Sequence, residues 1–188
     1  LSKSIKLLKF IVFSKFIYSL PPKTKFLLFD GESKVLIRYL PKNYTHTLYT
    51  RGEIFNIRVL LKNFLNFKFK LIEYFETYIS LVNPKFLITY IDNNTLFYKL
   101  KKNQCGKKIF IQNAWRSEQD DTVILNRKIY KKNFKNLNFY VDYMLVFNNK
   151  IGEIYNSFIR GKTYVIGSFK SNSYKVHKKK KFGLLYIS

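Results

Sequence analysis

The chain has 188 residues, 47% hydrophobic and 24% charged, with a formal net charge of +24. That length and apolar content suffice for one α/β domain with a sizeable core and exclude a disordered chain. Cys105 is the only cysteine, which excludes an intrachain disulfide and a cysteine-built zinc site and fits a reducing compartment, while His46 and His177, the only histidines, argue against a histidine-rich metal site.

The chain opens on Ile5–Leu20, an apolar stretch interrupted by Lys6, Lys9 and Lys15. It falls short of the roughly 20 uninterrupted apolar residues of a spanning helix. It also lacks the clean apolar core and small-residue cleavage site of a signal peptide. It predicts a basic amphipathic helix, either lying on an anionic membrane face or packed on the domain's own sheet. Pro21-Pro22 ends it. Lys25–Phe29, closed by Asp30-Gly31, reads as a buried parallel strand. Glu32–Leu40 reads as a short helix stopped by Pro41, Tyr44–Tyr49 as a second strand, and 50–53 as a loop. Apolar residues at Ile54, Ile57, Leu60, Leu61 and Phe64 predict a helix over Ile54–Leu65. Leu71–Val82 repeats the pattern and is ended by Asn83-Pro84.

Phe86–Ile91 is the next strand, running into Asp92-Asn93-Asn94 and a helix over Thr95–Leu100. Lys108–Ile111 is a strand ending in Gln112-Asn113-Ala114-Trp115-Arg116. Ser117–Asn138 is polar, without a clear period, and reads mostly as loop. Tyr143–Phe147 is a strand and Ile151–Phe158 a helix, with Gly161 placed to cap it. Lys162–Ile166 is a strand ending in Gly167-Ser168. Lys170–Lys181 is basic and lacks an apolar face, as a linker does, and Phe182–Ile187 begins another strand. An opening on Leu1 rather than Met, and a close on an apolar run, predict a piece of a longer protein. The alternation of strands and helices predicts an α/β fold, a Rossmann-like, mostly parallel sheet with helices on both faces.

A charge of +24 raises nucleic acid or an anionic membrane as partners. The cations are overwhelmingly Lys rather than Arg, the residue suited to bidentate phosphate and base contacts, and this weighs against nucleic acid. Ala114 is the only alanine while Lys, Asn, Ile, Phe and Tyr abound, a bias that an A/T-rich genome produces without selection for polyanion binding.

Ligands of open α/β sheets bind beyond the carboxyl ends of the strands. Here those ends carry Asp30 and Gly31, Arg51 and Glu53, Asp92 to Asn94, Gln112 to Arg116, Asn148 and Asn149, and Gly167 and Ser168. Turn-making accounts for about half of these. It accounts least well for Trp115 and Arg116, which suit a sugar or phosphate site by stacking and bidentate hydrogen bonding. Asp92 is a candidate general base, although an Asp or Asn capping the helix at Thr95 is the plainer use. His46, inside a strand, reads as structural. The chain contains no GxGxxG, GxxxxGK[ST] or GxSxG.

The pieces Phe29-Asp30-Gly31-Glu32, Thr50-Arg51-Gly52-Glu53, NPKFLITYIDNN from Asn83 with Phe97-Tyr98, Ile111 to Arg116, Val146-Phe147-Asn148 and Ile166-Gly167-Ser168-Phe169 carry a resemblance. In this order they resemble the N-terminal half of bacterial surface-carbohydrate transferases, those of lipopolysaccharide or capsule biosynthesis. Such enzymes have a GT-B-type fold and are distantly similar to CDP-glycerol glycerophosphotransferases. The resemblance implies a two-domain glycosyl- or glycerophosphoryl-type transferase. Residues 1–22 would be its leader, 23–169 the Rossmann-like acceptor-side domain, 170–181 the interdomain linker and 182–188 the first strand of the second domain.

It further implies that a nucleotide-linked donor binds the second domain and that the acceptor is a lipid- or saccharide-type molecule; in this half itself the sequence shows no cofactor or metal site, and metal dependence stays open. The location implied is cytoplasmic, at the inner face of the membrane, with peripheral contact through Ile5–Leu20. Asp92 or Glu53 would serve as base. Arg51 and Arg116 would steady phosphates. Asn93, Asn94, Gln112 and Asn113 would bind sugar hydroxyls, beside Trp115, Gly167 and Ser168. Ala114 stands where the pattern has glycine. The competing readings are a basic RNA-binding protein and a non-catalytic membrane-peripheral module.

Overall fold

The computed structural model describes residues 14–31, 34–102, 106–117, 119, 123–125, 127–128 and 139–173. Its strands are β1 (Lys15–Ile17), β2 (Phe26–Phe29), β3 (Thr45–Leu48), β4 (Ile54–Asn56), β5 (Phe86–Thr89), β6 (Lys107–Ile111), β7 (Tyr140–Val146) and β8 (Arg160–Val165). Its helices are α1 (Lys34–Ile37), α2 (Ile57–Leu65), α3 (Leu71–Val82), α4 (Thr95–Lys99) and α5 (Asn149–Asn156).

Six strands form one sheet in the order β3-β2-β5-β6-β7-β8, and every pairing in it is parallel. The chain winds from β2 outward to β3, crosses back over β2, and then adds β5 to β8 in the other direction. The strand order therefore reverses between β2 and β5. That is the point at which open α/β sheets leave a crevice at their carboxyl edge.

Apolar runs explain why the strands are buried on both faces. Leu27, Phe29, Leu87, Phe110, Met144 and Val146 face a core completed by residues of α3, α4 and α5. Leu28, Ile88 and Ile111 face the other side, against Leu36 of α1, with Ile166 and Phe169 packed on the same cluster. α3 buries Tyr74, Phe75, Tyr78, Ile79 and Val82. Each such side chain contributes about 1.5–3 kcal/mol through burial. α3 starts where the Lys70 N–H donates to Glu73 Oε2 at 2.8 Å. It stops at Asn83, a left-handed cap at φ 51°, with Pro84 behind it.

The fold matches the expected α/β sheet, and several local expectations change. Residues 15–17 of the predicted leader helix form a strand that pairs with β4, fixed by Phe16 against Phe55 (6.4 Å between ring centres); the residues of that segment before Ser14 lie outside the described ones. Residues 54–56 are strand rather than the first turn of a helix. Asn56 sets the boundary, because its Oδ1 accepts from the Val59 N–H and so caps α2.

The apolar stripe of α2 does not face the core. The helix buries Val59 and Asn63, Asn63 being held by a hydrogen bond from Thr77. Leu60, Leu61 and Phe64 lie exposed. Gly161 is no helix cap, since α5 ends at Ser157 in right-handed backbone and Gly161 lies within β8. It is glycine because a Cβ there would meet the Val141 carbonyl oxygen at 2.4 Å. Residues 123–125 and 127–128, within the predicted loop, are helical. The predicted linker begins with a short 3-10 turn, Ser171–Ser173. Its remainder, and the strand predicted at Phe182–Ile187, lie outside the described residues.

Candidate functional site at the carboxyl edge of the sheet

The chain leaves β2 through Asp30 at φ 74° and Gly31 at φ 105°. Two successive positive φ values turn the backbone sharply at the point where the strand order reverses. Aspartate tolerates this conformation better than most residues, and such backbone persists where surrounding bonds over-determine it. Those bonds are present here. The Asp30 N–H donates to the Leu48 carbonyl at 3.0 Å. Its carboxylate, buried, accepts from the Thr50 hydroxyl and from Asn94 Nδ2 at 2.7 Å. Arg51 lies alongside, Nε to Oδ1 3.4 Å, with its own side chain 66% exposed. Asp30 thus ties the ends of β2, β3 and β5 together and leaves a guanidinium facing solvent above them.

A second buried carboxylate stands beyond β5. Asp92, 2% exposed, receives Arg116 in a bidentate pair, Nη2 to Oδ1 at 2.8 Å and Nε to Oδ2 at 2.9 Å. The Tyr155 hydroxyl donates to Oδ2 as well, at 2.9 Å. The Tyr98 hydroxyl donates to the Asp92 carbonyl at 2.6 Å. Burial, then the nearby Asp92 charge, pushes the Tyr155 and Tyr98 phenols up, so both remain protonated donors. The network joins β5, the loop after β6, α4 and α5. Two charge-assisted bonds in a fork fix the Arg116 plane.

Beside it, Trp115 and Arg116 line a hollow of about 240 Å³ with Asn148, Lys150, Ile151 and Ile154. Trp115 is 65% exposed there. Asn148 caps α5, its Oδ1 accepting from the Ile151 N–H at 3.0 Å. The hollow combines an indole, two cations and a helix start, which suits a hydroxylated or anionic ligand.

The candidate residues divide by what their side chains already do. Asn94 caps α4 through the Leu96 N–H as well as holding Asp30, so the capping role belongs to Asn94 and not Asp92. Gln112 is buried and satisfied by backbone, Nε2 donating to the Ala114 carbonyl at 2.8 Å and Oε1 accepting from the Phe147 N–H at 2.9 Å. It fastens the loop that carries Trp115 and Arg116. Ala114 has no positive φ, so the expected glycine is not needed. Asn93 and Asn113 are exposed. Glu53 is exposed, and its Oε2 accepts from the Arg51 N–H at 3.0 Å.

Gly167, at φ 69°, and Ser168, whose Oγ accepts from the Ser171 N–H at 3.2 Å, follow the edge strand β8. Phe169 then packs on Tyr39 (5.1 Å) and Tyr90 (6.0 Å), which brings that segment back to the end of β5. His46 hydrogen-bonds the Tyr78 hydroxyl at 2.8 Å inside the fold, a structural placement.

The tyrosines were missed in the sequence. Tyr155 sits on the apolar periodicity of α5 and reads as core, and nothing local marks its hydroxyl. Tyr90 reads as part of a strand, yet its hydroxyl oxygen is buried without a hydrogen-bond partner among the described residues. Among those residues no cluster of His, Cys, Asp or Glu is arranged to hold a metal ion, and no helix is long and apolar enough to cross a membrane.

Residues 109–188 match the model of a family described as "putative O-antigen biosynthesis protein". No curated protein matches the sequence, and no solved structure matches it. The matched stretch includes the loop of Trp115 and Arg116, Tyr155 and the segment around Gly167. The family match thus points to a part in O-antigen biosynthesis, the making of surface carbohydrate.

Proposed function

We propose that this chain is the acceptor-side half of a two-domain, GT-B-type transferase, of the glycosyl or glycerophosphoryl kind, that builds surface polysaccharide. The observation that carries the reading is the polar carboxyl edge of the sheet. A fixed Arg116 and an exposed Trp115 border one hollow beyond β6 and β7, and a solvent-facing Arg51 stands over Asp30 at the strand-order reversal. The match to a surface-carbohydrate family over 109–188 supports it.

In this reading Arg51 and Lys150 attract phosphate of a lipid-linked or nucleotide-linked substrate, and Trp115 stacks on a sugar face. Asn93 and Asn113 bind hydroxyls. Glu53, an exposed carboxylate of the edge, takes the proton from the acceptor hydroxyl. Asp92 has both oxygens occupied by donors, so its part is to orient Arg116. The donor site belongs to the second domain, and the cleft between halves is where transfer occurs.

The test is a transfer assay with the product of the complete reading frame, a nucleotide-linked sugar donor and lipid-linked acceptors. Transfer by the complete product, its loss in Glu53→Gln, and no transfer by residues 1–188 alone are the expected results. Transfer by residues 1–188 alone, or full activity of Glu53→Gln, would overturn the assignment.

A further inference from the structure

We propose that the outward face of α2 and the turn leading into α3 form a docking surface for an anionic lipid membrane. The inference stands apart from the transferase reading.

Helices that pack on a sheet turn their apolar stripe inward. α2 does the reverse. Leu61 is 56% exposed, Phe64 66%, Leu65 76%, and beyond the helix Phe67 85%, Phe69 71% and Leu71 45%. These side chains adjoin a groove of about 700 Å³ between α2 and α3, lined among others by Phe55 and Tyr74. Contiguous exposure on this scale marks an interaction site rather than scattered surface residues.

The turn adds an independent observation. Phe67 adopts φ 55°, the left-handed region that a bulky side chain avoids. Glycine or asparagine would make the same turn without strain. The conformation holds the most exposed phenyl ring of the group out into solvent, while Phe64 and Phe69 meet edge to face beside it (6.1 Å). Strained backbone that presents an apolar side chain outward is a feature of a binding surface rather than of stability.

Charge decides the occupant. Arg58, Lys62, Lys68 and Lys70 are exposed around the apolar group, and the nearby Glu73 is engaged with the Lys70 N–H. A second copy of this chain would set these cations against one another. An anionic lipid surface instead accepts the rings and leucines into its interfacial layer while lysines reach its headgroups. The surface continues into residues 18–20. Arg58 Nε donates to the Tyr18 carbonyl at 2.7 Å and Asn56 Nδ2 to the Ser19 carbonyl at 2.7 Å. Tyr18 and Leu20 are themselves 68% and 60% exposed.

The experiment is co-sedimentation of the chain with phosphatidylcholine vesicles, with and without phosphatidylglycerol, alongside sedimentation of the protein alone. The wild type is expected to bind vesicles containing phosphatidylglycerol, weakly or not at all those without, and less as salt rises. The Phe64→Glu/Phe67→Glu variant, altered only at exposed positions, is expected to lose about tenfold or more in affinity with an unchanged circular-dichroism spectrum. Phe67→Gly, which relieves the left-handed strain, is expected to bind less while unfolding at higher urea.

Equal binding by Phe64→Glu/Phe67→Glu would show that net charge alone attracts the chain and would overturn the proposal. So would absence of binding by the wild type, or a self-associated species that the double variant dissolves. None of these readouts involves transfer chemistry, so failure here leaves the transferase reading to its own assay.

Discussion

Asp92→Ala is the most informative perturbation of the carboxyl edge. It removes the acceptor of the Arg116 fork and of the Tyr155 hydroxyl, from a site where Asp92 is 2% exposed and the Arg116 side chain 17%. Breaking a buried ion pair by deleting one member costs about 3–5 kcal/mol. Residual exposure of Arg116 places the expected loss at the lower end, about 3 kcal/mol, or roughly 10 °C in Tm for a domain of this size. Tyr155→Phe removes one hydroxyl bond to the same carboxylate and should cost about 1–2 kcal/mol.

Urea unfolding followed by circular dichroism gives both values. A double-mutant cycle with Arg116→Met should return a coupling of about 1–3 kcal/mol. A loss in Asp92→Ala below about 1 kcal/mol, no more than an exposed pair contributes, would refute the reasoning. The joint between β5, the β6 loop and α5 would then rest on apolar packing alone.

Gly161→Ala should lower stability by about 1–3 kcal/mol in the same assay, because its Cβ would press on the Val141 carbonyl at 2.4 Å inside the sheet. Phe67→Gly should raise stability by about 1 kcal/mol by releasing left-handed strain at an exposed position. Burial holds the His46 imidazole below its ordinary value, so the unfolded chain binds the proton first. Stability from this group is therefore complete above about pH 6.5 and falls as the pH drops toward the lower folded value. The urea midpoint should decline over that range, and His46→Gln should remove this component. Asp142 is subject to burial that raises its pKa, outweighed by hydrogen bonds from the Lys108 N–H, Tyr140 and Lys107 that hold it below the usual carboxylate value. Its contribution is present above about pH 4 and is lost as the pH falls below that.

The parallel sheet was legible because its strands are continuous apolar runs ended by Asp, Asn or Gly, and because Leu71–Val82 carries both periodicity and an Asn-Pro stop. The site was legible as a set of loop ends, since strand carboxyl ends are fixed once the strands are assigned. The pairing within it was not. Nothing in the sequence joins Asp92 to Arg116 and Tyr155, 24 and 63 positions away. Tertiary pairing also overrides local pattern in two places. Residues 15–17 and 54–56 satisfy a helical period, yet each supplies the other with a strand partner. α2 shows the limit of periodicity itself, because a stripe of Leu and Phe states that a face is apolar and does not state which way it turns.

The measurement that bears most directly on a role in surface-carbohydrate synthesis is genetic. The gene for this chain would be disrupted in its source organism and the surface polysaccharide resolved by gel electrophoresis. The account predicts loss or shortening of that polysaccharide, restored by the wild-type gene and not by a gene carrying Glu53→Gln and Arg51→Ala together. An unchanged polysaccharide in the disrupted strain, or full restoration by the doubly substituted gene, would contradict it.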